Sequence, residues 1–265
     1  MKKHLIVLSD LHINSTVALS LSEVSLDDGG IYHYSKSQRW LASNLSDFRK
    51  EIEKLDGEKI LVLNGDIIDV NKHSQHQLIT PNVSIAIDHA YTLIKHYLSD
   101  IVDKLYIVRG TEAHVGKVAE YEDLVAKKLD ALPDEFGNSV HWSLLLDVNG
   151  VIFDIAHHGV VGQKAWTRTH PLDSLAANTI IEATKNGSVL PDIIIRSHLH
   201  TYADTYDNYP VRVIQTPAWQ LATSFSYRIG SGLADIGGLI FICEDGKYEL
   251  IKKLYKPEGK KPTVI

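Results

Sequence analysis

The sequence predicts an α/β protein built on a mixed β-sheet, as one domain over all 265 residues, with 256–265 as a frayed basic tail. Three observations predict it. Short runs of β-branched residues and leucine, at 5–8, 60–63, 105–108 and 192–196, are bounded by turn residues, as buried strands are. Longer segments between them carry apolar residues at helical spacing. The strand runs also end repeatedly in Asp, Glu or His, and ligands in open α/β sheets collect beyond the carboxyl ends of strands.

Taken in order, the strand 5–8 hands over to Asp10-Leu11-His12. In a loop leaving a strand, Asp-x-His can turn a carboxylate and an imidazole onto one cation; the alternative is a capping Asp beside a surface His. Residues 13–35 read as a long polar loop in which Tyr32 or His33 is a candidate to reach a substrate, against plain surface packing. Trp40, Leu41, Leu45, Phe48, Ile52 and Leu55 define a helix over 37–55, which Asp56-Gly57 ends. The strand 60–63 runs into Asn64-Gly65-Asp66 and Asp69. Asn71, His73 and His76 follow in a polar loop. Thr80 as N-cap and Pro81 at the first helical position open a helix expected to reach residue 103, with Ile85, Tyr91, Ile94, Tyr97, Leu98 and Ile101 inward.

The strand 105–108 ends in Arg109-Gly110-Thr111-Glu112-Ala113-His114, and a helix is expected over 117–129. Asn149-Gly150 joins strands 140–146 and 151–156 as a hairpin, the second ending in His157-His158-Gly159. Pro171 opens a helix that Asn186-Gly187 closes, and the strand 192–196 ends in Ser197-His198-Leu199-His200. The remainder reads as β: 202–206, 211–215, 220–226, 239–243 and 248–255, with Asp245-Gly246 as a turn.

Composition excludes several classes. The net charge of −6 gives no general electrostatic reason to bind nucleic acid, though a local basic groove is compatible with it. Cys243 is the only cysteine, which rules out an intrachain disulfide and a thiolate metal cluster; its apolar neighbours make it a buried thiol. The apolar run at 5–8 is too short for a secretory signal or a membrane span, so a cytoplasmic protein with no membrane partner is expected. Against this ordinary background, 14 histidines stand out, since imidazole is the commonest metal ligand and the natural acid or base near neutral pH.

Five strand ends thus carry ligand-type residues: Asp10 and His12; Asp66 and Asp69; Glu112 and His114; His157 and His158; His198 and His200. Carboxylates with imidazoles and no thiolate suit Mn²⁺, Fe, Ni or Zn. They exceed what one ion of four to six coordination needs. They suit two ions sharing a carboxylate, the arrangement used for phosphoester hydrolysis, where a bridging water is activated and a nearby His protonates the leaving group. No Gly-x-Ser-x-Gly elbow and no P-loop is present.

In their order along the chain, Asp10-Leu11-His12, Gly65-Asp66-Ile67-Ile68-Asp69, Gly110-Thr111-Glu112-Ala113-His114, His158-Gly159 and His198-Leu199-His200 resemble the motifs of the calcineurin-like metallophosphoesterase family, over about residues 5–215. The resemblance implies a four-layer α/β/β/α sandwich with two mixed sheets and a dinuclear site at the strand ends, manganese first among the metals. It implies that Asp10, His12 and His200 hold one ion, that Asp66 bridges, that His158 and His198 hold the second, and that Asp69 supports them. The chain departs from the family in two motifs. Thr111 stands where the family has Asn and Glu112 where it has the catalytic His; Ser197 replaces Gly before His-x-His. With a loop longer by two residues, Glu112 would become the oxygen ligand of the second metal and His114 the leaving-group acid. His157 is expected to support or pack rather than ligate. Arg168, Arg109 and Arg196 are candidates to grip phosphate, and Trp166, Trp219 and Tyr202 to stack on a base, with core packing the alternative. The expected function is metal-dependent hydrolysis of a phosphodiester, nucleotide or nucleic-acid end. The alternatives are a phosphomonoesterase or protein phosphatase, and a metal-binding module that has lost catalysis.

Overall fold

The computed structural model describes residues 2–70, 77–159, 162, 164–228, 234–257 and 262–264. Asn71, His73 and His76 lie outside the described residues.

Two five-stranded mixed sheets organise the chain. In the first, β1 (Lys3–Leu8), β4 (Glu58–Asn64) and β5 (Lys104–Val108) are parallel, and the hairpin of β11 (Ile236–Glu244) and β12 (Lys247–Tyr255) adds antiparallel to the free edge of β1. In the second, β7 (Val151–His158), β8 (Ile193–Ser197) and β10 (Arg212–Gln215) are parallel, flanked by antiparallel β6 (Leu144–Val148) and β9 (Ala203–Asp204). Asn149 and Gly150 both take positive φ, as the predicted two-residue hairpin requires.

Alternation along the strands divides the apolar residues between layers. Leu5 and Val7 of β1, with Ile60 and Val62 of β4, pack on Phe153, Ile193 and Ile195 between the sheets. Ile6, Leu8, Leu61 and Leu63 point the other way, onto α1 (Lys36–Glu53), α2 (Val83–Tyr97) and α4 (Glu120–Lys128). Ile194 and Val213 of the second sheet turn outward onto Leu172 and Ala176 of α5 (His170–Asn186). Helices thus pack on both sheets, and the two sheets share an apolar layer between them. The parallel strands of both sheets deliver their carboxyl ends to one rim.

Several elements differ from expectation. Residues 13–35 contain a small ribbon, β2 (Glu23–Ser25) with β3 (Ile31–His33), whose Tyr32 hydroxyl donates to Gln38 in the capping box of α1. That occupies Tyr32 structurally, and His33 faces Glu23 on the surface. The cap of α2 is Asn82, which accepts from Ser84 and Ile85 N–H, because Thr80 Oγ1 is already taken by the Asn82 N–H. The helix expected over 117–129 starts later, as α4, because Val118 and Ala119 are left-handed; a single turn, α3 (Glu112–Val115), precedes them. Residues 220–226 form no strand; a short helix, α6 (Ser224–Arg228), takes their place. Cys243 is buried, and burial pushes its thiol up to about 12, as expected of an inert thiol. No described helix is long and apolar enough to cross a membrane.

Candidate metal centre

The loops at the rim turn sharply. Asp10, His12, Asp66, His198 and His200 all have positive φ, between 44° and 82°. Left-handed backbone at a residue with a Cβ costs roughly 1–3 kcal/mol and persists where the surroundings over-determine it. Here two loops brace one another: Asp10 N–H donates to Gly65 O at 3.0 Å, His12 N–H to Asp66 O at 2.9 Å and Ile13 N–H to Ile67 O at 3.0 Å. The close approach also requires Gly110, since a Cβ there would overlap the Asp66 carboxylate.

Three groups of side chains converge on this rim: Asp10 with His12 and His200; Asp66 with His157 and His198; and His12 with Asp69 and His114. In the first, His12 Nε2 and His200 Nε2 are 3.1 Å apart, and His200 Nε2 is 3.2 Å from Asp10 Oδ1. Asp10 Oδ1 is fully buried without a hydrogen bond. An orphaned carboxylate oxygen facing two imidazole nitrogens is costly in a protein interior and fits a shared cation. In the second group, His157 Nε2 lies 3.0 Å and His198 Nδ1 3.8 Å from Asp66 Oδ2. The His198 N–H donates to Asp10 Oδ2 at 3.2 Å, tying the two groups together.

Asp69 organises the third group. Its Oδ1 accepts from His12 Nδ1 at 2.8 Å and from His114 Nδ1 at 2.7 Å. Engaging both Nδ1 atoms frees both Nε2 atoms for the rim. Behind the rim, Glu122 on α4 is fully buried and accepts from Ile67 N–H at 3.1 Å and Gly110 N–H at 2.7 Å, clamping two of the site loops together.

The electrostatics follow from packing carboxylates among imidazoles. Burial would raise Asp10 and Asp66, but His200 and His12 outweigh it at Asp10, and His157 and His198 at Asp66, so both stay well below the carboxylate range. Asp69 sits at about 2 although burial opposes it, because His12 and His114 both donate to it. Burial pulls His12 and His157 down, yet Asp69 lifts His12 well above its ordinary value and Asp66 lifts His157 to about 9. Glu122 goes the other way: burial, then repulsion from Asp66, pushes it up to about 7 against its two N–H donors. A cleft crowded with carboxylates and held together by imidazolium is one a divalent cation would relieve.

Of the residues singled out from sequence, Asp10, His12, Asp66, Asp69, His114, His198 and His200 come together. Glu112 does not join them. Its side chain is exposed at the first position of α3 and makes no described contact with the groups. The position falls instead to Thr111, whose N–H donates to Asp66 Oδ1 at 2.6 Å and whose hydroxyl lies 3.1 Å from His198 Nδ1. His158 has an exposed ring at the edge, 5.4 Å between centroids from His198, while its neighbour His157 occupies the buried place beside Asp66. Arg168 is exposed on the turn after residues 165–167. Arg196 is bound by Asp154 at 3.2 Å. Arg109 is buried, with its guanidinium against Trp142. Trp219 is fully buried and Tyr202 donates to Asp204, so both pack, whereas Trp166 is exposed. Sequence reasoning passed over Glu122, although its spacing to Val125 and Ala126 puts it on the buried face of α4. It also passed over Trp142, for which the sequence carries no signal.

No family model and no curated relative matches the chain. Solved structures resembling it include Vacuolar Protein Sorting 29 from Cryptosporidium parvum, at 14% identity over 97% of this chain and 99% of that one, TM-score 0.47. A predicted phosphoesterase from Streptococcus pneumoniae has 10% identity over 96% and 90%, TM-score 0.41. A purple acid phosphatase from yellow lupin has 12% identity over 96% and 53%, TM-score 0.45. Likeness at this level carries no chemistry across; that has to come from the side chains.

Proposed function

We propose that the chain is a divalent-metal-dependent phosphoesterase acting on a phosphodiester, a nucleotide or a nucleic-acid end. The observation that carries this reading is the convergence of two carboxylate–imidazole groups with a His–Asp pair beside them. Asp10, His12 and His200 would hold one ion. Asp66, His198 and a histidine of the 157–158 pair would hold the other, with the Thr111 hydroxyl alongside, and Asp66 would bridge the two. Manganese is the first choice for such donors, with iron, nickel or zinc as alternatives. When bound, such ions polarise the phosphoryl oxygens and lower the pKa of water.

The chain's own residues do the rest. The Asp69 carboxylate holds His114 by Nδ1, so the imidazole presents Nε2 to the cleft and can protonate the departing oxygen. Asp69 fixes the His12 tautomer in the same way, leaving its Nε2 lone pair toward Asp10 and His200. Glu122 holds the Ile67 and Gly110 backbone, which keeps Asp66 and Thr111 in register.

The test is metal analysis of the purified protein, with hydrolysis of bis(p-nitrophenyl) phosphate and p-nitrophenyl phosphate in Mn²⁺. Turnover of the diester supports the reading. Turnover of the monoester alone makes the chain a phosphomonoesterase. Two bound ions without turnover of either substrate make it a binding module, the reading favoured by the exposed Glu112.

A further inference from the structure

Arg109 follows β5 directly and precedes Gly110 and Thr111, the residues that close on Asp66. Its N–H donates to His141 O at 2.9 Å, and His141 N–H donates to Ile107 O at 2.8 Å. Residues 141–142 therefore run parallel to the end of β5, and Trp142 arrives at the same rim as Arg109. The guanidinium carbon lies over the Trp142 ring, 3.5 Å from its centroid.

Two features of this pair are left over by the fold. First, Arg109 is 8% exposed, yet among the described residues its guanidinium has no carboxylate partner and no hydrogen-bond acceptor. The half-buried arginines of the second sheet are, by contrast, paired, Arg196 with Asp154 and Arg212 with Asp204. The Arg109 nitrogens, none of them fully buried, are left to solvent or to an anion from outside. Stacking uses only the π face of guanidinium and leaves its in-plane N–H fork free for phosphate oxygens. Second, Trp142 is 75% exposed. Its inner face rests on Arg109 and the rest of the ring meets solvent, although Trp219 shows that this chain can bury an indole completely.

We propose that Arg109 and Trp142 form a nucleotide subsite: a nucleobase stacks on the outer face of Trp142 while Arg109 grips the phosphate beside the metal centre. The assignment rests on the phosphoesterase reading for its purpose and narrows the substrate class to nucleoside phosphoesters. Stacking of one base on an aromatic side chain strengthens binding by about tenfold to a hundredfold.

The test is calorimetric binding of adenosine 5′-monophosphate, ribose 5-phosphate and phenyl phosphate to the Mn²⁺-loaded protein. Adenosine 5′-monophosphate should bind at least about tenfold more tightly than ribose 5-phosphate, the gain expected of one stacked base. Trp142→Ala, a change at an exposed position, should bring it down to the level of ribose 5-phosphate. Arg109→Lys, which keeps charge but loses the fork, should weaken both. Equal binding of the two ligands, or an advantage that survives Trp142→Ala, overturns the subsite; phenyl phosphate matching the nucleotide overturns the nucleobase assignment. Hydrolysis of bis(p-nitrophenyl) phosphate by the same preparation separates the two readings. Turnover without a nucleotide preference sinks the subsite alone, and a preference without turnover sinks the enzyme while leaving the subsite standing.

Discussion

His114 lies 2.7 Å by Nδ1 from Oδ1 of Asp69, on a one-turn helix that begins directly after the Asp66-contacting Thr111. A carboxylate at that distance fixes the tautomer and the orientation of the ring, which is what a proton donor to a leaving group needs. His114→Ala should therefore slow hydrolysis of a diester with a poor alkoxide leaving group by about 10²–10⁴. The loss should be much smaller for p-nitrophenolate, which leaves without help. Asp69→Asn should reproduce part of that pattern. Equal losses on both classes of substrate would remove His114 from proton transfer and leave it a structural or metal-binding role.

Much of this site was legible from sequence because strand ends announce themselves: a β-branched run stops and a ligand residue follows, at Asp66 after a Gly that opens the turn. Asp10, His12, Asp66, His198 and His200 were all found that way. The failures occur where the backbone departs from a simple strand end. Glu112 was expected to reach inward, but it opens a helical turn that directs its side chain to solvent, while Thr111 one residue earlier meets Asp66 and His198. At the end of β7, His157 and His158 are adjacent and alternate across the sheet; a register shift between Ile155 and His158 helps decide which one faces Asp66, and no pattern of residue types reveals that. Trp142 reaches the rim through a bridge between His141 and Val108, a long-range pairing invisible to local periodicity.

The charge pattern predicts how metal-free and metal-loaded protein respond to pH. Asp10, Asp66 and Asp69 are depressed in the folded state, so their stabilisation is present above the ordinary carboxylate value of 3.8 and is lost as pH falls below it. His157 is raised to about 9, so its stabilisation is complete below the ordinary 6.5 and disappears as pH rises toward 9. Metal-free protein should therefore melt highest between about pH 4 and 6.5 and progressively lower toward pH 9. Metal competes with protons for the same imidazoles, so the rise in Tm on adding Mn²⁺ should grow over that interval. Scanning calorimetry with and without chelator checks both slopes. A metal-free Tm that stays level from pH 6.5 to 9 would contradict the His157–Asp66 pairing.

Glu122 offers a prediction about stability rather than catalysis. Its two carboxylate oxygens satisfy the buried N–H groups of Ile67 and Gly110. Glu122→Ala leaves both donors without a partner, at a cost of about 1–3 kcal/mol each. Glu122→Gln keeps one acceptor and should cost less. Because the carboxyl is raised from 4.5 to about 7, ionisation in the folded state works against the wild type as pH climbs through that range. The stability gap between wild type and Glu122→Gln should therefore narrow from pH 5 to pH 8, as measured by urea denaturation. A gap that widens would mean that the N–H donors, not burial and Asp66, dominate the carboxylate.

The last prediction concerns which histidine of β7 serves the second metal position. His157 is 1% exposed, with Nδ1 2.7 Å from Asn64 O and Nε2 3.0 Å from Asp66 Oδ2. Donation from Nδ1 to the carbonyl leaves Nε2 to face the carboxylate, either as a proton-bearing partner or, once deprotonated, as a ligand. His158 lies on the exposed side, with its ring 5.4 Å between centroids from His198. His157→Ala should release one of two ions on dialysis and weaken the remaining site little, since Asp10, His12 and His200 do not contact it. His158→Ala should keep both ions. Metal content by mass spectrometry separates the two cases directly. If His158→Ala is the variant that loses an ion, then His157 is a buried imidazolium that holds Asp66 in place, and its replacement by Gln should leave the metal count at two while lowering the melting temperature.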